Sequence, residues 1–297
     1  MLVDFLKYGK VYFVLGGVIM LSSIAALVIW GINPGIDFTG GSILELEYLN
    51  SRASNEEIEQ KLTDLNLESF LVQSAGEKSV IIRTQYISEE THQKIIGILG
   101  ENQSIAERRF ESIGPVIGQE LKQKTFTLIF VSLLAIVFYI TLAFRKIKRP
   151  ISGWQYGIVS LFALFHDVLI PIGVFSLLGK FYNVQVTIPV IVAFLTIVGY
   201  SINNVVVVFD RIRENLIKRT TAIFAETVNL SLNQTLTRCI STSLTTLLVL
   251  VSVFFFGGET LKYFALALII GIIAGMISAV FLAGSILVFW SDRKKLS

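Results

Sequence analysis

The chain has 297 residues, of which 53% are hydrophobic and only 16% charged, and its mean hydropathy is +0.70. Soluble domains carry about 25% charged residues, so this balance excludes an ordinary soluble enzyme and points to an integral membrane protein. A net charge of +3 gives no basis for a nucleic-acid partner, and one cysteine, Cys239, excludes an intramolecular disulfide.

Met1 to Lys10 is polar and basic and precedes a long apolar run. Val11–Trp30 is too long for the core of a cleaved signal and reads as an uncleaved first span. Further spans are expected over Thr125–Phe144, Trp154–Leu178, Thr187–Phe209, Cys239–Phe256 and Tyr263–Trp290, six in all. Lys7 and Lys10, then Arg145, Lys146, Lys148 and Arg149, then Arg211, Arg213, Lys218 and Arg219, and finally Arg293, Lys294 and Lys295 flank alternate ends of these spans. The opposite short loops carry only Lys180 and Lys262. The positive-inside rule then places both termini in the cytoplasm. The expected organisation is residues 1–31 as N-terminus and first span, 32–123 outside the cytoplasm, 124–290 as the remaining spans, and 291–297 as a cytoplasmic tail.

The extracytoplasmic segment has its own pattern. Ile43–Tyr48 alternates with period two, Asn55–Leu65 has helical spacing, and Phe70–Gln73 and Val80–Arg83 read as strands. Ser88 can cap a helix through Leu99, and Ser104–Ser112 can form a last strand. Strand-helix-strand, twice over, is the split βαβ pattern of a ferredoxin-like α+β domain. Before it, Asn33-Pro-Gly-Ile-Asp-Phe-Thr-Gly-Gly-Ser42 reads as a tight turn, with Asp37 and Thr39 bonding local amides beside Gly35, Phe38, Gly40 and Gly41. After it, Gly114-Pro115-Val-Ile-Gly118 is a break that re-aims the chain into the membrane.

Polar residues inside the spans mark candidate sites, because they are costly in hydrocarbon and face a bundle interior or a water-filled path. The alternative is hydrogen bonding that only holds helices together. His166 and Asp167 lie mid-span in the third helix. In the fourth, GYSINNVVVVFDRIRE brings Gly199, Tyr200, Ser201, Asn203 and Asn204 ahead of a charge cluster, Asp210, Arg211, Arg213 and Glu214. Phe224, Val228, Leu232 and Leu236 recur every fourth residue, which suits a helix lying on the cytoplasmic surface before turning inward. Arg238 follows at the entry to the fifth span, where it either snorkels or serves a site. Gly271, Gly275, Ala279 and Ala283 form a small-residue stripe for close packing in the sixth. No phosphate loop, metal-spaced Cys/His set or Ser/His/Asp grouping is present, so the chain is expected not to be an enzyme and to hold neither metal nor cofactor.

GYSINNVVVVFDRIRE resembles the fourth-helix motif G-Y-S-I-N-D-T-V-V-V-F-D-R-I-R-E of the SecF family, the smaller membrane subunits of SecDF protein-translocation complexes. G-I-D-F-T-G-G after the first span, G-P-x-x-G before the second, H-D-V in the third and NLSLNQTLTR…STSLTTLL leading into the fifth are similar to that family's elements, in its order. The resemblance implies six helices forming half of a resistance-nodulation-division-type bundle, with SecD as the other half. It also implies a linker around Gly40 and Gly41 that transmits movement, and a role for Arg238 in the coupling-ion path. Assistance to polypeptide export across the cytoplasmic membrane, driven by proton or in some bacteria sodium flow, follows from it. The partners it implies are SecD, the SecYEG translocon with SecA acting upstream, YajC and YidC as further candidates, the exported unfolded polypeptide and membrane lipids.

Two positions depart from the motif: Asn204 replaces an aspartate and Val205 a threonine. A carboxamide does not titrate near neutral pH, so Asn204 can offer Arg238 only a hydrogen bond. Three alternatives follow: the partner supplies the titrating carboxylates, which we place first; Asp167 or Asp210 does so; or the chain is an uncoupled scaffold. Half of a small-molecule or lipid exporter of the same superfamily is the runner-up, against which the small extracytoplasmic domain argues.

Overall fold

The computed structural model describes residues 3–295 apart from 51, 66, 68, 102 and 144–150. Phe144, the expected end of the second span, and the basic residues from 145 to 149 lie outside the described residues, as does the very end of the tail. Two compact units emerge, one of residues 1–33 with 129–297 and one of residues 34–128.

The smaller unit is built on an antiparallel sheet of β1 (Gly41–Tyr48), β2 (Phe70–Ala75), β3 (Ser79–Thr84) and β4 (Ile105–Ile113) in the order β2-β3-β1-β4. Between its strands run α3 (Asn55–Thr63) and α4 (Glu89–Gly100), giving the expected ferredoxin-like order. Alternation decides its faces. Leu44, Leu46, Val80 and Ile82 point to one side, where Ile58 and Leu62 of α3 and Ile95 and Leu99 of α4 cover them. Ile43 and Ile81 point to the other, against Ile36. Each helix starts where a serine accepts an orphan amide: Ser54 Oγ from Glu57 N–H at 3.2 Å and Ser88 Oγ from Thr91 N–H at 3.4 Å.

The larger unit contains most of six helices long and apolar enough to cross a membrane. Their elements are α1 (Gly9–Trp30), α5 (Pro115–Ala143), α6 (Gly153–Tyr182), α7 (Ile188–Lys218), α8 (Phe224–Phe256) and α9 (Glu259–Ile277). A π-helical segment, Ser278–Ala283, carries the sixth span into α10 (Gly284–Lys295). Most helices outrun the expected spans. At 1.5 Å per residue, a core of ~30 Å needs only ~20 residues, and polar turns extend beyond it. Pro115 begins α5 ten residues before the expected span, because proline suits a first helical turn.

The region around Phe224 corrects an expectation. It does not lie flat and then turn; α8 is one continuous 33-residue helix, about 50 Å long. Phe224, Val228 and Leu232 are buried in the bundle core with Val208, Ile212, Ala283 and Leu287. An apolar stripe every fourth residue looks alike whether a lipid surface or neighbouring helices bury it.

Candidate functional site

Asp167 lies 14 residues into α6, about 21 Å along its axis, and is fully buried. Three donors converge on it. His166 Nδ1 is 2.9 Å from Oδ1, while Oδ2 accepts hydrogen bonds from the Ser201 hydroxyl and, at 2.7 Å, the Ser278 hydroxyl. The donors come from α6, α7 and the π segment, so the carboxylate ties together the third, fourth and sixth spans. Gly275 makes this approach possible. A Cβ there would sit 3.2 Å from Ser201 Cβ and 3.4 Å from Asp167 Oδ2. A Cβ on Gly271, one turn earlier, would come within 2.2 Å of Ile197 Cδ1, so the small-residue stripe packs tightly on α7.

Asp167 is the one buried carboxylate among the described residues. A carboxylate in hydrocarbon persists by hydrogen bonding or by neutralisation. With the carboxylate ionised, His166 donates from Nδ1, leaving a lone pair on Nε2. That Nε2 is buried and has no hydrogen-bond partner.

The fourth-helix motif divides by helical geometry. Ser201 and Asn204 are buried, whereas Asn203 is exposed, since residues two apart do not share a helix face. The expectation that all three face the bundle interior therefore fails for Asn203. No hydrogen bond joins Asn204 to Arg238, which is exposed, and the Asn204 amide nitrogen, a donor that an arginine cannot satisfy, is buried without a partner. Gly199 has open space around it, and Tyr200 reaches α8, donating to the Thr242 carbonyl at 2.6 Å and lying 3.0 Å from the Thr246 hydroxyl.

The charge cluster continues α7 into an open cleft of about 290 Å³, lined by Val207, Asp210, Arg211, Glu214, Gln234, Thr235 and Arg238. Arg211 donates to Glu214 at 2.5 Å and to Gln234 at 2.7 Å. Asp210 is exposed and 3.6 Å from Arg213. Arg238 thus shares a cleft with Asp210, while Asp167 belongs to a separate buried layer.

A third arrangement joins two motifs of the smaller unit. Ile36–Thr39 is a short helix, α2, where a simple turn is expected, and Gly40 and Gly41 follow it at φ of 75° and 136°. A Cβ on Gly40 would lie 2.8 Å from Pro115 Cα, and one on Gly118 would lie 2.9 Å from Gly40 N. Gly41 meets Thr84 O in the same way at 2.9 Å. The Gly-Gly segment and the start of α5 are packed backbone to backbone. Thr39 Oγ1 donates to the Gly35 and Gly40 carbonyls rather than bonding amides, which corrects its expected role. Gly35 precedes α2, Asp37 opens its first turn and Phe38 faces Gly118, while Gly114 has open space.

Ser278 and Gly275 escape sequence reasoning as site residues. A polar residue beside the small-residue stripe is the signal that would have found Ser278.

Comparison with known proteins agrees with this architecture. The family model "Protein export membrane protein SecD/SecF, C-terminal" matches residues 96–293, and that of the SecD/SecF GG motif matches residues 26–48. The chain is similar to protein translocase subunit SecF of Thermobaculum terrenum, 34% identical over 98% of this chain and 95% of the relative. It is 38% identical to SecF of Desulfurispirillum indicum over 89% and 83% of the two chains. The crystal structure of SecDF, a translocon-associated membrane protein from Thermus thermophilus, superimposes with a TM-score of 0.86 at 31% identity, covering 99% of this chain. The match spans only 39% of that longer SecDF chain. The family model covers most of the chain, and near-full-length relatives share a third or more of its residues, so the chain belongs to the SecD/SecF family of protein-export membrane proteins.

Proposed function

We propose that this chain is the SecF-type accessory subunit of a Sec export machinery, a non-catalytic subunit that works with SecD to assist polypeptide translocation across the cytoplasmic membrane. Its end-to-end similarity to proteins named translocase subunit SecF supports the assignment. A SecDF chain of Thermus thermophilus that is 34% identical over 97% of this one supports the pairing with SecD. Alternating basic residues support cytoplasmic termini and an α+β unit outside the cytoplasm. SecYEG, with SecA upstream, is the translocon it would serve, and the division at residues 31, 123 and 290 is retained as its organisation.

Within that role, the chain couples to the transmembrane ion gradient through Asp167. One observation carries this: a mid-span carboxylate is held by three donors from three different spans. Gain or loss of charge there changes what all three helices bond to, and that is how ion occupancy becomes helix movement. Asn204 does not titrate, and Asp210 is exposed and paired with Arg213. Arg238 and Asp210 then shape the neighbouring cleft. An uncoupled scaffold is the second reading, favoured by the unpartnered Asn204 amide.

The test is export of a secreted reporter in cells depleted of their own SecF and complemented with this chain, with Asp167→Asn or with Arg238→Ala. Coupling through Asp167 predicts rescue by the parent and its loss, by about tenfold or more, in Asp167→Asn at equal membrane abundance. Undiminished rescue by Asp167→Asn leaves the scaffold reading standing.

A further inference from the structure

Ahead of α1, the segment Val3–Phe5 is tied to α8 through two asparagine side chains. Asn233 Oδ1 accepts the Val3 N–H and Asn229 Oδ1 the Phe5 N–H, each at 2.9 Å. Their amide nitrogens return bonds to the Val3 carbonyl, at 2.8 Å from Asn233 and 3.2 Å from Asn229. The spacing suits this, because four residues of helix rise about 6 Å and two residues of extended chain cover that distance. Both asparagines belong to the motif that leads into the fifth span, yet neither bonds to Asp167 or lines the Arg238 cleft.

The clamped segment ends in a buried ring. Phe5 shares a core with Val228 and Leu232 of α8 and with Ala279, Val280 and Ala283 of the π segment. Its ring meets Phe281 edge-on with centroids 5.7 Å apart, and the Tyr12 ring of α1 lies 4.4 Å from Phe281. Just past the π segment, a Cβ on Gly284 would lie 3.2 Å from Leu232 Cδ1 and 3.3 Å from Val228 Cγ1. The same π segment begins at Ser278, which donates to Asp167 at 2.7 Å.

We propose that Asn229 and Asn233 are positioning residues for the Asp167 site, clamping Val3–Phe5 so that Phe5 holds the π segment in the register that presents Ser278. This role rests on the assignment of Asp167 as coupling group. A π turn bonds residues five apart instead of four and is rare, so neighbouring side chains must hold it. Each helical residue turns the chain by about 100°. Return of the segment to α geometry would rotate one end against the other by about that angle, and Ser278 and Phe281 could not both keep their partners. The clamp on α8 thus reaches the carboxylate through Phe5, Phe281 and Ser278, without touching it.

Amide hydrogen exchange and isotope-edited infrared spectroscopy on the purified full chain in lipid nanodiscs test this. The carboxyl band of Asp167 is identified by its absence in Asp167→Asn, and Ser278→Ala supplies the shift that follows loss of one donor. Asn229→Ala combined with Asn233→Ala, on a helix that favours alanine, is expected to speed exchange at Val3 and Phe5 by about tenfold or more. It also moves the Asp167 band in the direction set by Ser278→Ala. Phe5→Leu moves the band while exchange at Val3 stays parental, because the asparagines bond main chain only. Parental exchange in the asparagine pair overturns the clamp. An unmoved band in Phe5→Leu, or in the asparagine pair despite faster exchange, makes the segment a tether only and overturns the positioning role. A band unmoved even in Ser278→Ala overturns the link from the π segment to Asp167. Export by Asp167→Asn is read separately: undiminished rescue removes coupling through Asp167 and leaves these shifts in place.

Discussion

At Asp167 the balance is between a desolvation cost of several kcal/mol for a buried ion and three charge-assisted hydrogen bonds, each contributing about 1.5–3 kcal/mol. The donors are matched to the cost, so removing one leaves the ion under-satisfied. Ser278→Ala is expected to lower stability by about 1–3 kcal/mol, seen as a lower unfolding midpoint of the purified chain in detergent. Asn204 is the opposite case: its amide nitrogen, a donor, is buried and unpaired, and no hydrogen bond joins the residue to Arg238. Asn204→Asp restores the residue of the family motif without restoring a paired arginine. Export by Asn204→Asp is expected to stay within about threefold of the parent if, as proposed, coupling runs through Asp167; a tenfold gain would show that the fourth-helix position still dominates.

At the scale of elements, close approach between helices is set by missing side chains. A Cβ on Gly173 of α6 would lie 2.5 Å from Ser23 Cβ and 2.6 Å from Ser23 Cα, the latter being backbone of α1. Gly173→Ala must push the two helices apart and is expected to cost about 1–3 kcal/mol, read as a lowered thermal unfolding midpoint of the full chain. In the α+β unit the first turn of α4 carries Glu89 and Glu90. Hydrogen bonds from Gln93 and then His92 hold the Glu89 carboxyl below the usual glutamate range, and one from Lys94 does the same for Glu90. A carboxyl depressed in the folded state stabilises fully above its unfolded value, about 4.3, and that stability is lost as pH falls through the lower folded value. Protection of the amides along α4 should therefore be constant down to about pH 5 and be lost as pH falls below the unfolded value of about 4.3. Unchanged protection at the lower pH would show that these carboxyls do not support the helix.

For the whole molecule, exposed apolar surface is distributed unevenly. α6, α7 and the sixth span bury much of their surface, whereas α1, α5 and much of α8 expose theirs: Phe126, Phe130 and Phe138 of α5 and Leu244, Leu248 and Phe255 of α8 all face outward. Lipid can cover such surface, and under the proposed pairing with SecD so can the partner's helices. A partner that binds only the folded chain raises its stability by mass action, so co-purified SecD should raise the unfolding midpoint of this chain, and dilution of the complex should lower it again. An unfolding midpoint indifferent to SecD would argue against a stable pairing.

Much of this protein is legible in the order of its residues. Length and apolarity alone dictate six spans, because every backbone polar group in hydrocarbon must be satisfied within a helix. Period-two and period-3.6 patterns give the four strands and the helices α3 and α4 of the α+β unit, and Ser88 marks where α4 starts. His166 and Asp167 stand out because ionisable groups are rare at mid-span depth. Other features depend on which helix lies against which, and local pattern is silent about that. Burial of Phe224, Val228 and Leu232 by helices rather than lipid, the meeting of Gly40 with Pro115 and Gly118, and the exposure of Arg238 away from Asn204 all belong to tertiary packing. So does the convergence of Ser201, Ser278 and Gly275 on one carboxylate, since Ser278 lies 111 residues from Asp167 and meets it only when the third and sixth spans pack. A sequence records what each helix can bury, and only the packed bundle settles what each buried group meets.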